Sequence, residues 1–171
     1  MVPYRRTLLA AGAALPLHAL AQACRITPRQ TEGPFFKPSS PERISLVSNA
    51  KAASLVVVGR VVDRNCKPVA GALLDFWHAD ERGEYDNDGF RFRGHQFTDA
   101  EGRYRLETSL PGNYGARTRH IHVKVQAAGG PILTTQLYFP GEPQNARDGL
   151  FRPELVVRPQ KPGVVSFDFV A

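Results

Sequence analysis

From residue 54 onward, the apolar residues of this chain occur in short runs separated by turn-forming residues. The run at 55–62 is rich in β-branched residues and ends at Asp63-Arg64-Asn65, a cluster typical of a turn. Similar strand patterns, with Pro- or Gly-containing turns between them, cover residues 72–77, 103–108, 119–126, 132–139, 154–157 and 163–169. Apolar residues do not recur with the 3.6-residue period of a long amphipathic helix. The pattern therefore predicts an all-β fold, either a sandwich or a barrel.

The first 23 residues follow a different pattern. Arg5 and Arg6 lead into an apolar run at 7–20, and residues 21–23 have the small-x-small form of a signal-peptidase site. Residues 1–23 are therefore expected to be a signal peptide, of twin-arginine or ordinary secretory type. The expected location of the protein is periplasmic or secreted. The run is shorter than the ~20 residues of a membrane-spanning helix, and no later segment approaches that length.

Residues 24–53 are rich in Pro, Arg, Ser and Thr and have no clear period, which predicts an extended N-terminal arm. Residues 54–171 then form the β domain. Without residues 1–23 the chain has 148 residues, enough for one domain with its own core and too few for two. Loss of Arg5 and Arg6 lowers the formal net charge from +6 to +4, and the remaining cations are scattered. This distribution favours solubility over nucleic-acid binding.

The chain contains two cysteines, Cys24 and Cys66. An even number of cysteines in a chain expected to reach an oxidising compartment predicts a disulfide that ties the start of the arm to the domain. No CxxC pairing is present, which argues against a two-cysteine metal site.

Residues 120–125, with the sequence His-Ile-His-Val-Lys-Val, are the most informative stretch for chemistry. Side chains alternate between the two faces of a strand, so the three aliphatic residues are predicted to face the core. His120 and His122 then share the other face, at a spacing that lets both bind a single metal ion. An edge strand that exposes His120, His122 and Lys124 to solvent would have the same pattern.

Tyr85 and Tyr114 both lie in glycine-containing turn sequences. Taken singly, each is typical of a loop residue that rests its ring on the surface. If both phenols converge with His120 and His122, the set offers two hard anionic oxygens and two borderline nitrogens. Such a set suits a hard trivalent ion, of which Fe(III) is the common biological case, whereas a zinc site more often includes a carboxylate or a thiolate.

Five motifs occur in order between residues 77 and 139. They are Trp77-His78-Ala79-Asp80-x-x-Gly83-x-Tyr85, Thr98-Asp99-x-x-Gly102-x-Tyr104, Pro111-Gly112-x-Tyr114, Arg117-x-x-His120-Ile121-His122 and Thr135-Gln136-Leu137-Tyr138-Phe139. Together they resemble the intradiol ring-cleavage dioxygenases, especially the short exported members related to protocatechuate 3,4-dioxygenase. With the arm and the segment 66–72, the resemblance covers roughly residues 24–145. It implies an antiparallel β-sandwich, so the expected fold is all-β, a sandwich with an extended N-terminal arm.

The resemblance also implies an activity and a set of site residues. The family holds non-haem Fe(III) with two tyrosines and two histidines, which fall here on Tyr85, Tyr114, His120 and His122. The active-site arginine of the family falls on Arg117. The site residues implied for catalysis are Arg117, which would stabilise negative charge on the substrate, Tyr114, which a bound substrate would displace from the iron, and Gln136, the glutamine near the iron.

The implied reaction cleaves a catechol-type ring between its two hydroxyl-bearing carbons with O2 and yields a cis,cis-muconate-type product. The expected partners are a small aromatic diol and O2, with no nucleic acid and no membrane span, and a homo-oligomer is left open. The segment between Tyr114 and His120 is short, and the sandwich is expected to lack the preceding helical domain of the catechol 1,2-dioxygenases. The walls of the substrate pocket are therefore expected to differ.

Two other functions fit parts of the sequence. One is a non-enzymatic, transthyretin-like β-sandwich that acts as a binding module, since the turn and strand features at 71–72 and 99–104 also occur in such modules. The other is an exported copper or zinc protein that uses only His120 and His122. The tyrosine pair distinguishes these functions, because a binding module has no reason to bring Tyr85 and Tyr114 to the two histidines.

Overall fold

Two β-sheets packed face to face form the domain in a computed structural model that describes residues 24–47 and 54–171. The predicted signal peptide, residues 1–23, and residues 48–53 of the predicted arm lie outside the described residues. Within those two ranges the strands are β1 (Leu55–Val62), β2 (Leu73–Trp77), β3 (Arg93–Phe97), β4 (Arg103–Thr108), β5 (His120–Gln126), β6 (Leu133–Tyr138), β7 (Arg158–Lys161), β8 (Val164–Ser166) and β9 (Phe169–Val170). The predicted all-β sandwich is confirmed.

The first sheet has the strand order β4-β1-β8-β7, and β9 pairs with the far end of β1. The second sheet has the order β3-β2-β5-β6, and all its neighbouring strands are antiparallel. In the first sheet β1 pairs antiparallel with β4 and parallel with β8 and β9. β5 is therefore an inner strand, and both its edges are hydrogen-bonded.

The core lies between the sheets and follows the period-2 pattern of the strands. On β2 and β5 the inward residues are fully buried aliphatic and aromatic side chains, among them Phe76 and Val123. Phe76 meets Tyr104 of the opposite sheet with ring centroids 5.9 Å apart. The Tyr104 hydroxyl donates a hydrogen bond of 2.9 Å to the Phe167 carbonyl, so the one polar atom of that buried ring is satisfied.

The structure differs from the predicted strands in three places. β3 was missed, because the sequence Arg-Gly-His-Gln-Phe has no apolar alternation. The strand predicted at 154–157 is wrong: Pro153–Leu155 is a short 3₁₀ helix, and Val156 forms a single bridge to Tyr138. The strand predicted at 163–169 is two strands, β8 and β9, which pair with successive parts of β1.

Residues 24–47 run in an extended path along the edges of both sheets. Gln30 N donates to Thr134 O of β6 at 2.9 Å. Further on, Arg43 N donates to His95 O of β3 at 2.8 Å, and Leu46 N donates to Glu107 O of β4 at 2.8 Å. The arm therefore pairs with edge strands on opposite sides of the sandwich, which it shields from solvent. It passes over the outer face of the second sheet between them.

The edge at β7 has a different character. Its four residues are all exposed, and the second is Pro159, which has no N–H to donate.

No helix in residues 24–47 or 54–171 has the length and apolar character needed to cross a membrane.

Cys24 and Cys66 form a disulfide, with an S–S distance of 2.02 Å and a sequence separation of 42 residues. The backbone strengthens the same junction, since Cys24 N donates to Arg64 O at 3.0 Å. The start of the arm is thus attached to the turn that follows β1.

Replacing Cys24 and Cys66 together by Ser is expected to lower the free energy of unfolding by roughly 3–4 kcal/mol, because the link restricts a 42-residue loop of the unfolded chain. Urea denaturation of the variant and of the oxidised wild type measures this difference. Thiol titration of the denatured, unreduced protein should find no free thiol. Two free thiols in that sample would contradict the bridge.

Candidate metal centre

The two histidines of β5 lie on the face of the second sheet that points away from the core. His120 is 4% exposed and His122 is 3% exposed. The solvent-exposed edge considered above is therefore wrong, because β5 is an inner strand and the arm covers this face. Gly33 of the arm lies so close that a Cβ there would come within 3.5 Å of His122 Cε1.

The imidazoles of His120 and His122 converge with the phenol of Tyr85. The His120 and His122 Nε2 atoms are 3.0 Å apart, and Tyr85 OH is 3.3 Å from His120 Nε2. His120 Nδ1 lies 2.6 Å from the Thr118 carbonyl, which can only accept. The proton of a neutral His120 is therefore on Nδ1, and the Nε2 lone pair points at the other two groups.

Both imidazoles are neutral at physiological pH. Burial lowers the pKa of His120 to about 4 and lowers the pKa of His122 well below its ordinary value, to which the neighbouring His120 also contributes. A neutral imidazole is the form that binds a metal ion. His122 Nδ1 is buried and has no hydrogen-bond partner among the described residues.

Stacked rings hold His122 and Tyr85 in place. His122 stacks on Trp77 with centroids 4.8 Å apart and planes 8° apart, and Phe36 packs against the edge of Trp77. Tyr85 stacks on Phe35 at 4.2 Å and 13°. Two adjacent residues of the arm thus fix two rings of the site.

The turn before Tyr85 is organised by Asp80. Its carboxylate accepts hydrogen bonds from the backbone N–H groups of Arg82 and Glu84 at 3.0 and 2.9 Å, and its carbonyl accepts one from the N–H of Gly83 at 3.0 Å.

Burial is the main influence on the Tyr85 phenol and raises its pKa well above the usual range, while the positive charges of Arg117 and Arg93 oppose that effect. The Tyr85 phenolate therefore needs a cation beside it.

Tyr114 lies at the open side of the site. Its ring is edge-on to Tyr85, with centroids 5.5 Å apart, and the residue is 41% exposed. The connection to β5 is a tight turn in which Arg117 N donates to Tyr114 O at 2.8 Å and Gly115 has φ of +54°. The structure thus brings the Tyr114 ring beside Tyr85. The short connection to β5 allows the ring to reach this position.

Arg117 is fixed by a buried carboxylate. Its Nε donates to Asp148 Oδ2 at 2.9 Å, and the Asp148 side chain is 1% exposed. Glu107, which lies nearer to Arg117 in the sequence than Asp148 does, pairs with Arg105 instead. Burial would raise the pKa of Asp148, but hydrogen bonds from Leu150 N–H and from Arg117 outweigh it and hold the pKa below its ordinary value.

Gln136 links Arg117 to the arm. Arg117 Nη2 donates to Gln136 Oε1 at 2.6 Å, and Gln136 Nε2 donates to the Thr31 carbonyl at 2.9 Å. Gln136 lies opposite His122 in the β5–β6 pair, so the two share one face of the sheet. Arg117 and Gln136 therefore form one hydrogen-bonded unit beside the histidines.

The donor set fits a hard cation better than it fits zinc. Within the described ranges no three His, Cys, Asp or Glu side chains are grouped so that they could hold a metal ion. Any complete set at His120 and His122 therefore needs the phenols. Two imidazoles with phenolate oxygens match the preference of Fe(III) for hard anionic donors.

Sequence reasoning missed several residues that shape the site. Asp148 lies 31 positions after Arg117, and no local pattern marks it as a partner. His78 of the first motif is 1% exposed, and its Nε2 lies 2.7 Å from Thr108 Oγ1. A cavity of about 710 Å³ lies elsewhere, where β1 and β4 meet β3, and none of the predicted site residues lines it.

Comparisons with known proteins find related dioxygenases. Residues 31–167 match the family model described as Dioxygenase. A solved dioxygenase domain, from a dioxygenase carbohydrate-binding protein fusion of Streptomyces sp. SirexAA-E, is 58% identical with a TM-score of 0.81 and covers 86% of this chain and 98% of its own.

Two curated relatives are more distant. Catechol 1,2-dioxygenase of Acinetobacter baylyi is 30% identical over 71% of this chain and 49% of its own length. The protocatechuate 3,4-dioxygenase beta chain of Burkholderia cepacia is 38% identical over 57% of this chain and 49% of its own length. The chain thus spans about half the length of the curated relatives it matches.

Asp148→Asn is expected to destabilise the protein by about 2–3 kcal/mol at neutral pH, because the partly buried Arg117 loses its carboxylate. A carboxyl group with a depressed pKa adds stability above its unfolded pKa, near 3.9 for Asp, and loses it as the pH falls through the folded-state pKa. The difference between wild type and variant should therefore be constant from about pH 5 to 8 and shrink below about pH 4.

Urea unfolding across this pH range measures the effect of Asp148→Asn. Asp99→Asn is the control, since it breaks an exposed ion pair with Arg103 and should change stability little. The role assigned to Asp148 is wrong if both variants lose the same free energy of unfolding. It is also wrong if the difference between wild type and Asp148→Asn grows as the pH falls.

Proposed function

Since this chain belongs to the intradiol ring-cleavage dioxygenase family, we propose that it is a non-haem Fe(III) enzyme acting on a catechol. The reaction opens the ring between the two hydroxyl-bearing carbons, incorporates both atoms of O2 and gives a cis,cis-muconate-type product. One observation carries the proposal: three donor atoms converge in the buried site. The Nε2 atoms of His120 and His122 are 3.0 Å apart, and the Tyr85 hydroxyl oxygen is 3.3 Å from His120 Nε2.

The ligands would be Tyr85, Tyr114, His120 and His122. Tyr85 and the two histidines are enclosed by the arm, whereas Tyr114 is partly exposed on a glycine-containing turn. When bound, Fe(III) would withdraw electron density from a catecholate, so that the organic ring reacts with O2. The burial of the histidines and the aromatic cover over Tyr85 keep competing water away from the three inner ligands.

Tyr114 is suited to exchange with the substrate. It is the one ligand candidate with a substantially exposed side chain, and the backbone beside it already adopts a positive φ at Gly115. The Tyr114 phenolate oxygen, if exchanged for the substrate, would accept a proton from a catechol hydroxyl. Tyr114 would thus be both a ligand of the resting site and the base that prepares the substrate.

Arg117 would stabilise the negative charge that develops on the substrate. Asp148 fixes the Nε side of the guanidinium, and Gln136 accepts from Nη2, so the group is held in one orientation before substrate binds. A charged group fixed in advance costs no reorganisation during the reaction, which is the form of electrostatic stabilisation that contributes most to catalysis.

We also propose that the protein works outside the reducing cytoplasm. The Cys24–Cys66 disulfide supports this, because such bonds persist in oxidising compartments. The signal peptide expected at residues 1–23 gives the same location.

The iron-loaded protein is expected to be red to burgundy and to contain roughly one iron per chain, because tyrosinate bound to Fe(III) absorbs visible light. Metal analysis and the visible spectrum test the site. O2 uptake with catechol and with protocatechuate, together with identification of the ring-opened product, tests the reaction. A colourless protein that holds zinc after growth in iron-replete medium would overturn the proposal.

Phe variants of the two tyrosines should separate their roles. Tyr114→Phe should bind iron and keep part of the colour but lose activity by roughly 10²–10⁴-fold, since it removes the base. Tyr85→Phe should lose most of the visible band and bind iron less tightly. Tyr104→Phe is the control, because that ring lies in the core, and its spectrum should match the wild type. Full activity in Tyr114→Phe would show that Tyr114 is only a loop residue.

A further inference from the structure

The loop that follows Tyr85 is held by cationic side chains. Lys37 of the arm donates from Nζ to the carbonyls of Asn87, Asp88 and Gly89 at 3.1, 2.9 and 2.8 Å. Arg43, also of the arm, donates to the Phe90 carbonyl. Arg93 of β3 donates to the Asp86 carbonyl, from Nη2 at 2.8 Å and from Nε at 3.1 Å. Five consecutive carbonyls, from residue 86 to residue 90, thus each accept from a side-chain cation.

Arg93 differs from the other two cations in its position. It is 2% exposed and lies opposite Trp77 in the β2–β3 pair. Its Nη1 donates to the Phe35 carbonyl at 2.5 Å, while the other side of the guanidinium binds the Asp86 carbonyl. One planar group therefore joins the backbone of Phe35 to the residue next to Tyr85.

That bridge acts on a stacked pair of rings. Phe35 and Tyr85 are 4.2 Å apart and nearly parallel, and they belong to segments 50 positions apart in the chain. The stack alone would leave each segment free to slide along the other. With both carbonyls bound to one rigid guanidinium, the position of the Tyr85 oxygen relative to His120 is set from two sides.

The charge of Arg93 matters as well as its shape. A buried cation is costly unless other groups compensate it, and the hydrogen bonds of the Arg93 guanidinium in the described residues are to carbonyl oxygens. The Asp86 carboxylate is occupied by the backbone N–H groups of Gly89 and Arg91. Those bonds hold the positive charge of the guanidinium at the backbone of Asp86, the residue next to Tyr85.

We propose that Arg93 is a positioning residue for the Tyr85 ligand: it fixes the stacked Phe35–Tyr85 pair through the backbone carbonyls of Phe35 and Asp86, and it places a buried positive charge at the residue next to Tyr85. The inference rests on the proposed iron site. It assigns to β3 a part in the metal centre, although β3 contributes no ligand.

The test compares Arg93→Met, Arg93→Lys and, as a matched control, Lys37→Met. The control removes a cation that binds the same loop but that does not bind the carbonyls of Phe35 or Asp86. Three quantities are measured on each protein: the wavelength of the visible band after iron loading, the affinity for Fe(III) in competition with a chelator, and the melting temperature without metal.

Arg93→Met should bind Fe(III) roughly 10–100-fold more weakly, as when other groups that orient metal ligands are removed. Its band should move to longer wavelength, because the phenolate loses a stabilising positive charge. Arg93→Lys keeps the charge but cannot bridge both carbonyls, so its band should stay near the wild-type position while its affinity falls by a measurable factor that is smaller than in Arg93→Met. Lys37→Met should keep both the wild-type band and the wild-type affinity.

The inference is wrong if Arg93→Met keeps the wild-type band and affinity, or if Lys37→Met changes both as much as Arg93→Met does. If Arg93→Met does not fold, Arg93→Lys decides, because unchanged iron affinity in that variant would show that the bridge is not needed. A colourless iron-treated wild type would instead refute the proposed iron site itself.

Discussion

The structure depends on one constraint: β5 is buried on both faces, and only one of those faces is apolar. The aliphatic side chains on its inner face pack into the sandwich core as on any inner strand. The two imidazoles on its outer face also need cover, and the opposite sheet cannot supply it. The arm does so, and its Gly33, Phe35 and Phe36 lie over the histidines or over the rings that hold them. The arm is therefore a third layer over part of the second sheet.

Burying this many polar groups without partners would be unfavourable, and hydrogen bonds and an ion pair within the site compensate for their desolvation. Asp148 is saturated by Arg117 and by backbone N–H groups, and the Gln136 amide is bonded on both sides. The carbonyls beyond Tyr85 are satisfied by side-chain cations. At the centre, the Nε2 atoms of His120 and His122 and the Tyr85 hydroxyl have only one another as hydrogen-bond partners among the described residues, and that is the arrangement a metal ion would complete.

How much of this could be predicted from the sequence differs from element to element. β5 was predictable because its alternation is strict and its two histidines have an unambiguous spacing. β3 was not, since the arm covers its outward side and both faces hold buried polar groups such as Arg93 and Gln96. Tyr85 and Tyr114 could be proposed as ligands from donor chemistry and the family resemblance. Asp148 and Arg93 could not, because their roles come from contacts across distant segments that leave no local pattern.

The arm and β7 together decide how this protein can meet another copy of itself. Three edges of the two sheets, at β3, β4 and β6, are paired with segments of the same chain. The edge at β7 instead presents Pro159 between charged and polar residues, which disfavours the addition of a further strand. Within residues 24–47 and 54–171, these edges therefore disfavour the extension of a sheet from one molecule into the next. The arm and Pro159 thus protect the sandwich against edge-to-edge aggregation.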